Sequence, residues 1–249
     1  MRVEKILMTM PAIIEVADAG IKETDLDPAF SYLGEVENRF SFFKPESEVS
    51  LMNLGKIAES DYSLELKEIL SLAEKTKRES RGYFNIVNTD GKINPSGIVK
   101  GWAINQAAQI LLKSGLKNFY ISVGGDIEVH GKNADNELWR IGIRNPFNQA
   151  ENVKIVYLSN CGIATSGSYE RGSHIYNPND SSEILDEIVS LSVIGPDVCE
   201  ADRFAAAAFA MGREGINFIE SLTDFEGYMI DKNGQATFTS SFKKYVKND

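Results

Sequence analysis

At 249 residues, 43% hydrophobic and 25% charged, the chain has the size and balance of a soluble globular protein with a sizeable core. Its formal charge of −10 argues against a nucleic-acid or anionic-membrane partner, because phosphate surfaces attract basic ones. No stretch approaches the roughly 20 apolar residues of a membrane span. The two cysteines, Cys161 and Cys199, match no disulfide framework or metal spacing and read as buried small hydrophobes in a reducing compartment.

The opening MRVEKILMTMPAIIEV alternates apolar and polar residues and lacks the continuous apolar core of a signal peptide, so a cytoplasmic location is expected. Met8 to Val16 reads as a first strand. From Pro28 to Phe43, Phe30, Leu33, Val36 and Phe40 recur at helical spacing. SFFKPESEVSLMN follows as a loop, then a helix over 63–80 that Gly82 ends. GYFNIVNTDGKINP is loop or short strand with an Asp90-Gly91 turn, and from Gly97 a helix runs until Gly115 closes it. NFYISVGGDIEVHG reads as a strand interrupted at Gly124-Gly125-Asp126 by a bulge or a close backbone approach. ELWRIGIRNP and VKIVYLSNCGIATSG are further strands, DRFAAAAFAMG and GINFIESL are helices, and the end is a hairpin turning at Asn233-Gly234. Helices between strand clusters, with hairpin signals in place of strict alternation, predict an α+β fold of mainly antiparallel sheet, as one domain over 1–249.

Four segments carry candidate chemistry. ATSGSYERGSHIYNP holds His174, one of two histidines, among hydroxyls and an arginine; it suits an anionic ligand as well as it suits a polar hairpin loop. PSGIVKG sets Gly97 and Lys100 at a helix start, where free amides and partial positive charge favour phosphate. VGGD offers a backbone without Cβ atoms beside the carboxylate of Asp126, which fits a flat ligand or an ordinary bulge equally. Asp202 opens an alanine-rich helix, as a dipole-favoured carboxylate or as a hard oxygen ligand for Mg²⁺.

In order along the chain, MTMP, SFFKPESEVSLMN, GYFN, NPSGIVKGWAIN, VGGDI, ATSGSYERGSHIYNP and ADRFAAAAFAMG resemble the FAD:protein FMN transferase family, the ApbE-like flavin transferases. The resemblance spans about residues 8 to 212 and implies an ApbE-like, T-fold-like single domain. It implies FAD as substrate, Mg²⁺ as cofactor, and transfer of FMN to a threonine or serine of an acceptor protein, with AMP released. By the same resemblance, His174 matches the proposed general base and Asp202 the metal aspartate. Gly97 supplies a backbone metal ligand, and Lys100 stands near the flavin phosphates. Phe43 takes the place of a tyrosine that stacks on the isoalloxazine. Met8, Tyr83, Phe84, Asn85 and Ile175 fall at flavin-contacting positions. Asn94, Gly124, Gly125, Asp126, Ser166 and Gly167 complete the expected FAD site.

Besides Phe43, and Met8-Thr9-Met10 where the family has Met-Gly-Thr, three positions depart from the family pattern. Ala206 stands where a threonine would add a hydroxyl to the metal shell, and Asn85 and Asn94 replace aspartates. Fewer hard anionic ligands weaken Mg²⁺ binding. The alternative expectation is therefore a degenerate member that binds or slowly hydrolyses FAD without flavinylating a protein.

Overall fold

Alternation at the N-terminus builds two strands where the sequence predicted one. Arg2–Leu7 (β1) and Met10–Val16 (β2) pair antiparallel, and Met8 and Thr9 form the two-residue turn between them, both at positive φ (53° and 62°). That conformation matches the twist of paired strands, and neither residue is the glycine that would have announced it. The computed structural model describes residues 1–167, 178–179 and 186–247.

Helix α1 (Asp27–Phe40) carries a proline at its start, where a fixed φ and a missing amide cost nothing. It buries Phe30, Leu33, Val36 and Phe40, the four residues whose spacing predicted it, each stabilising by roughly 1.5–3 kcal/mol. The segment expected to be loop contains a short helix, α2 (Glu48–Asn53), started by Ser47, whose hydroxyl accepts from the Ser50 amide. Ser63 caps α3 (Leu64–Glu79) in the same way. Helix α4 (Ser96–Lys113) is apolar around most of its surface because other elements enclose it on several sides.

Next come β3 (Phe119–Val123), β4 (Asp126–His130), β5 (Trp139–Asn145), β6 (Asn148–Leu158), β7 (Cys161–Gly167) and β8 (Ile188–Gly195). Helices α5 (Val198–Ala210) and α6 (Gly215–Glu220) precede β9 (Glu226–Asp231) and β10 (Ala236–Phe238). Among the described residues, eight strands form one sheet in the order β1-β2-β3-β4-β7-β8-β9-β10, and every neighbouring pair is antiparallel. The α+β expectation of mainly antiparallel sheet with packed helices therefore holds.

Gly124 and Gly125 are a hairpin turn and not a bulge: Val123 faces Asp126 across the β3–β4 ladder, and both glycines have positive φ (57° and 94°). The helices pack on one face of the sheet, through Ile14, Phe119, Ile121 and Val123 toward α1 and α4, and through Ala164, Leu191 and Val193 toward α5 and α6. The β5–β6 ribbon covers part of the other face with Trp139, Ile141 and Val156 over Ile127, Val129 and Ile163. It leaves the outer face of β2 and β3 uncovered beside it, and this sets the shape of the site. No helix among the described residues is long and apolar enough to cross a membrane.

Candidate functional site

Three elements meet at the β3–β4 turn. Asp126 opens β4 with 1% exposure, and its Oδ1 accepts from the Thr165 amide on β7 at 3.1 Å. Lys100, one turn into α4, brings its ammonium to 2.5 Å from Asp126 Oδ2. Asp202, in the second turn of α5, accepts from the Gly101 amide at 2.9 Å through Oδ2. A glycine is required at 101, since a Cβ there would lie 2.7 Å from Asp202 Cβ and 2.9 Å from the Val198 carbonyl oxygen. The crossing of α4 and α5 is thus a backbone approach that only a bare residue allows.

The electrostatics follow from that closeness. Burial raises the Asp202 carboxyl well above the usual carboxylate range, and the charge of Asp126 pushes it the same way. Lys100 and the Gly101 amide oppose the rise. Two buried carboxylates therefore share one nearby ammonium, an arrangement stabilised by a further proton or a cation. In a regular helix the Gly101 amide faces the Gly97 carbonyl, so its bond to Asp202 brings that carboxylate to the same side of α4. Gly97 is exposed at the helix start, with the buried ring of Phe84 against it: a Cβ at 97 would lie 3.4 Å from Phe84 Cε2.

The other expected residues divide. Tyr83 is half-buried beside Phe84, whereas Phe43 stands 81% exposed, edge-on to Phe42 at 5.5 Å. Asn85 and Asn94 are engaged locally: Asn85 accepts from the Val87 amide, and Asn94 Oδ1 takes the amide and hydroxyl of Ser96 at the start of α4. Both are uncharged turn formers. Ala206 contributes only a methyl group, half-buried against the apolar core. Ser166 and Gly167 end β7, paired with Leu191 and Ser190. His174 and Ile175 lie outside the described residues. Beyond them, the Asn179 side chain donates to the Arg81 carbonyl at 3.3 Å and packs on Gly82, next to Tyr83.

Met8 is half-buried in the β1–β2 turn, its amide donating to Glu37 at 2.7 Å, and its side chain packs with the helix-side core. The methionine beside the glycine turn is Met10, whose Sδ lies 2.3 Å from where a Gly124 Cβ would be. Sequence reasoning missed Met10, and it also missed a cleft of about 450 Å³ between the uncovered sheet face and the β5–β6 ribbon. Tyr120 and Ser122 line its floor, Arg140 and Arg144 its ribbon side, and Gly125 and Asp126 the end that meets the buried charges. Strand alternation on NFYISV, with a hairpin in place of a bulge, would have put Tyr120 and Ser122 on one face.

Residues 87–229 match the ApbE family. The FAD:protein FMN transferase of Klebsiella pneumoniae is 25% identical over 205 residues, covering 74% of this chain and 59% of that protein. That of Vibrio cholerae is 30% identical over 166 residues, covering 62% and 50%. The chain thus spans between about half and three-fifths of the length of these relatives. The fold is that of the flavin transferase ApbE from Vibrio cholerae, with a TM-score of 0.84, 23% identity and 99% of both chains covered. It is equally that of the apbe protein from Thermotoga maritima, with a TM-score of 0.86 at 18% identity, covering 100% of this chain and 99% of that one.

Proposed function

This chain is a member of the ApbE family, and from that membership we propose that it transfers the FMN half of FAD to a threonine or serine hydroxyl of an acceptor protein. The observation that carries the reading is the buried meeting of Asp126, Lys100 and Asp202 at the end of an open cleft. In this reading residues 1–249 act as one flavin-transferase domain. The acceptor oxygen forms a bond to the flavin-side phosphorus, the bond from that phosphorus to the bridging oxygen breaks, and AMP leaves. His174 takes the hydroxyl proton. Of the two histidines, His130 is already engaged, 3.1 Å from Glu128 and packed on Phe119. Gly167 and Asn179, on either side of the His174 segment, sit at the end of β7 and beside Tyr83. A cytoplasmic setting accords with the two buried, unpaired cysteines.

Magnesium belongs to this reading, and the residues fit it in kind: hard oxygens, a surplus of buried negative charge and a helix start. Asp202 and the Gly97 carbonyl would hold it, and bound magnesium supplies positive charge to the pyrophosphate as the bond to AMP breaks. The described residues contain no cluster of three or more His, Cys, Asp or Glu able to hold a metal ion. Substrate phosphates would supply further oxygens to it, as is usual for this ion. Lys100 orients the phosphates from one side, while Asp126 and Asp202 are themselves buried from water.

A second reading, a family member that holds or slowly hydrolyses FAD without flavinylating a protein, is favoured by Ala206 packing into the core and by the two asparagines tied into turns. Incubation with FAD, Mg²⁺ and a peptide bearing an acceptor threonine separates the two. Transfer predicts that the peptide gains the mass of an esterified FMN. An unmodified peptide, with FAD bound to the protein, supports the second reading and overturns the first.

A further inference from the structure

The first turn of α5 rests directly on the backbone of β7. At Gly162 a Cβ would fall 2.0 Å from the Val198 nitrogen, so no side chain separates helix from strand. The opening amides of a helix have no partner within it. Asp197 satisfies the Glu200 amide at 2.9 Å. The Val198 amide is satisfied from another strand: Glu128 on β4, opposite Gly162 in the ladder, accepts it through Oε2 at 2.6 Å.

Glu128 is 2% exposed, a costly place for a carboxylate without partners. Its second oxygen lies 3.1 Å from His130 Nε2, and the His130 ring is packed on Phe119 with centroids 4.8 Å apart. Burial raises the Glu128 carboxyl, while His130 and the Val198 amide draw it back. The side chain thus lies against the His130 ring at one end and accepts from the helix with the other.

Two spacings make this matter. Asp126 and Glu128 are two apart on β4 and share a face of the sheet. Val198 and Asp202 are four apart on α5, about one turn. The bond from Glu128 to Val198 therefore ties the strand that carries one acid of the site to the helix that carries the other.

We propose that Glu128 is a positioning residue that, through the Val198 amide, seats α5 so that Asp202 meets Gly101 and Asp126. Its effect on catalysis rests on the transferase reading above; its effect on geometry does not. The test is amide hydrogen exchange of the full chain followed by NMR, alongside AMP release from FAD with Mg²⁺ and an acceptor peptide. In Glu128→Ala, the Val198 and Gly101 amides exchange about tenfold faster, while Ile121 and Val193 in the sheet keep their rates. In the same variant kcat falls about tenfold with KM for FAD nearly unchanged. Glu128→Gln keeps an acceptor oxygen and restores both amides and kcat to within about threefold of the parent. Should Glu128→Ala not fold, Glu128→Asp, which withdraws the carboxylate by one methylene, reports on the same pair of amides. Equal acceleration of all four amides means a merely structural role and overturns the proposal, as does a Gly101 amide that keeps its protection. A parent protein that releases no AMP sinks the transferase reading alone, because the amide pattern still decides the geometry.

Discussion

The two faces of the sheet at the Gly124–Asp126 turn are built on opposite principles. On the helix side, Asp126, Lys100 and Asp202 are crowded where α4, α5 and the sheet leave no room for a Cβ at Gly101, and their charges act on one another through dry protein. On the ribbon side, Arg140 and Arg144 stand exposed along a cleft of about 450 Å³ with a polar floor. In the transferase reading the buried side would fix charge where bonds break, since preorganised groups excluded from water act strongly. The open side leaves a cleft exposed to solvent, with room for a ligand along its arginine edge. In a chain of net charge −10, a cleft edged by arginines is also where an anionic molecule is drawn in.

Substitutions on the buried side should therefore do the most damage. Gly162→Ala forces α5 off β7 and is expected to lower stability by about 3 kcal/mol, read as the midpoint of chemical denaturation. Asp202→Asn should leave stability within about 1 kcal/mol, because it removes a carboxylate whose charged form burial and the charge of Asp126 already disfavour, yet reduce kcat for AMP release about 100-fold. On the open side, Arg144→Ala is expected to raise KM for FAD about fivefold. Its stability should stay within about 0.5 kcal/mol. Equal losses on the two sides would break the contrast; a clean division between kcat and KM would sharpen it.

The sequence made some of this visible and hid the rest for physical reasons. Helical spacing located α1, and Asn233-Gly234 marked the final hairpin, because both signals are local. The β1–β2 hairpin escaped because its turn, Met8-Thr9, lacks glycine. Gly124-Gly125 read as a bulge or a close backbone approach because a single strand seemed to run through it, when it joins two. Six-residue α2 fell within a segment too short for periodicity to declare itself. In the site, Lys100, Asp126 and Asp202 were each nameable from their motifs, but nothing in those motifs states that they touch. Glu128 and Gly162 gave no sign at all, and Met10 stood in the MTMP segment without any sign that it meets Gly124, since each owes its role to a partner far away in the chain. Met8 was assigned by resemblance to pack on FAD; the methionine beside Gly124 is Met10.

In the proposed reaction the buried acids, with a divalent cation, form the centre that breaks the pyrophosphate of FAD. Its most direct test is AMP release from FAD in the presence of an acceptor peptide, followed with Mg²⁺ and after its removal by a chelator. The account predicts AMP in step with peptide flavinylation when Mg²⁺ is present and neither product without it. AMP release at the same rate in the chelated sample would contradict it.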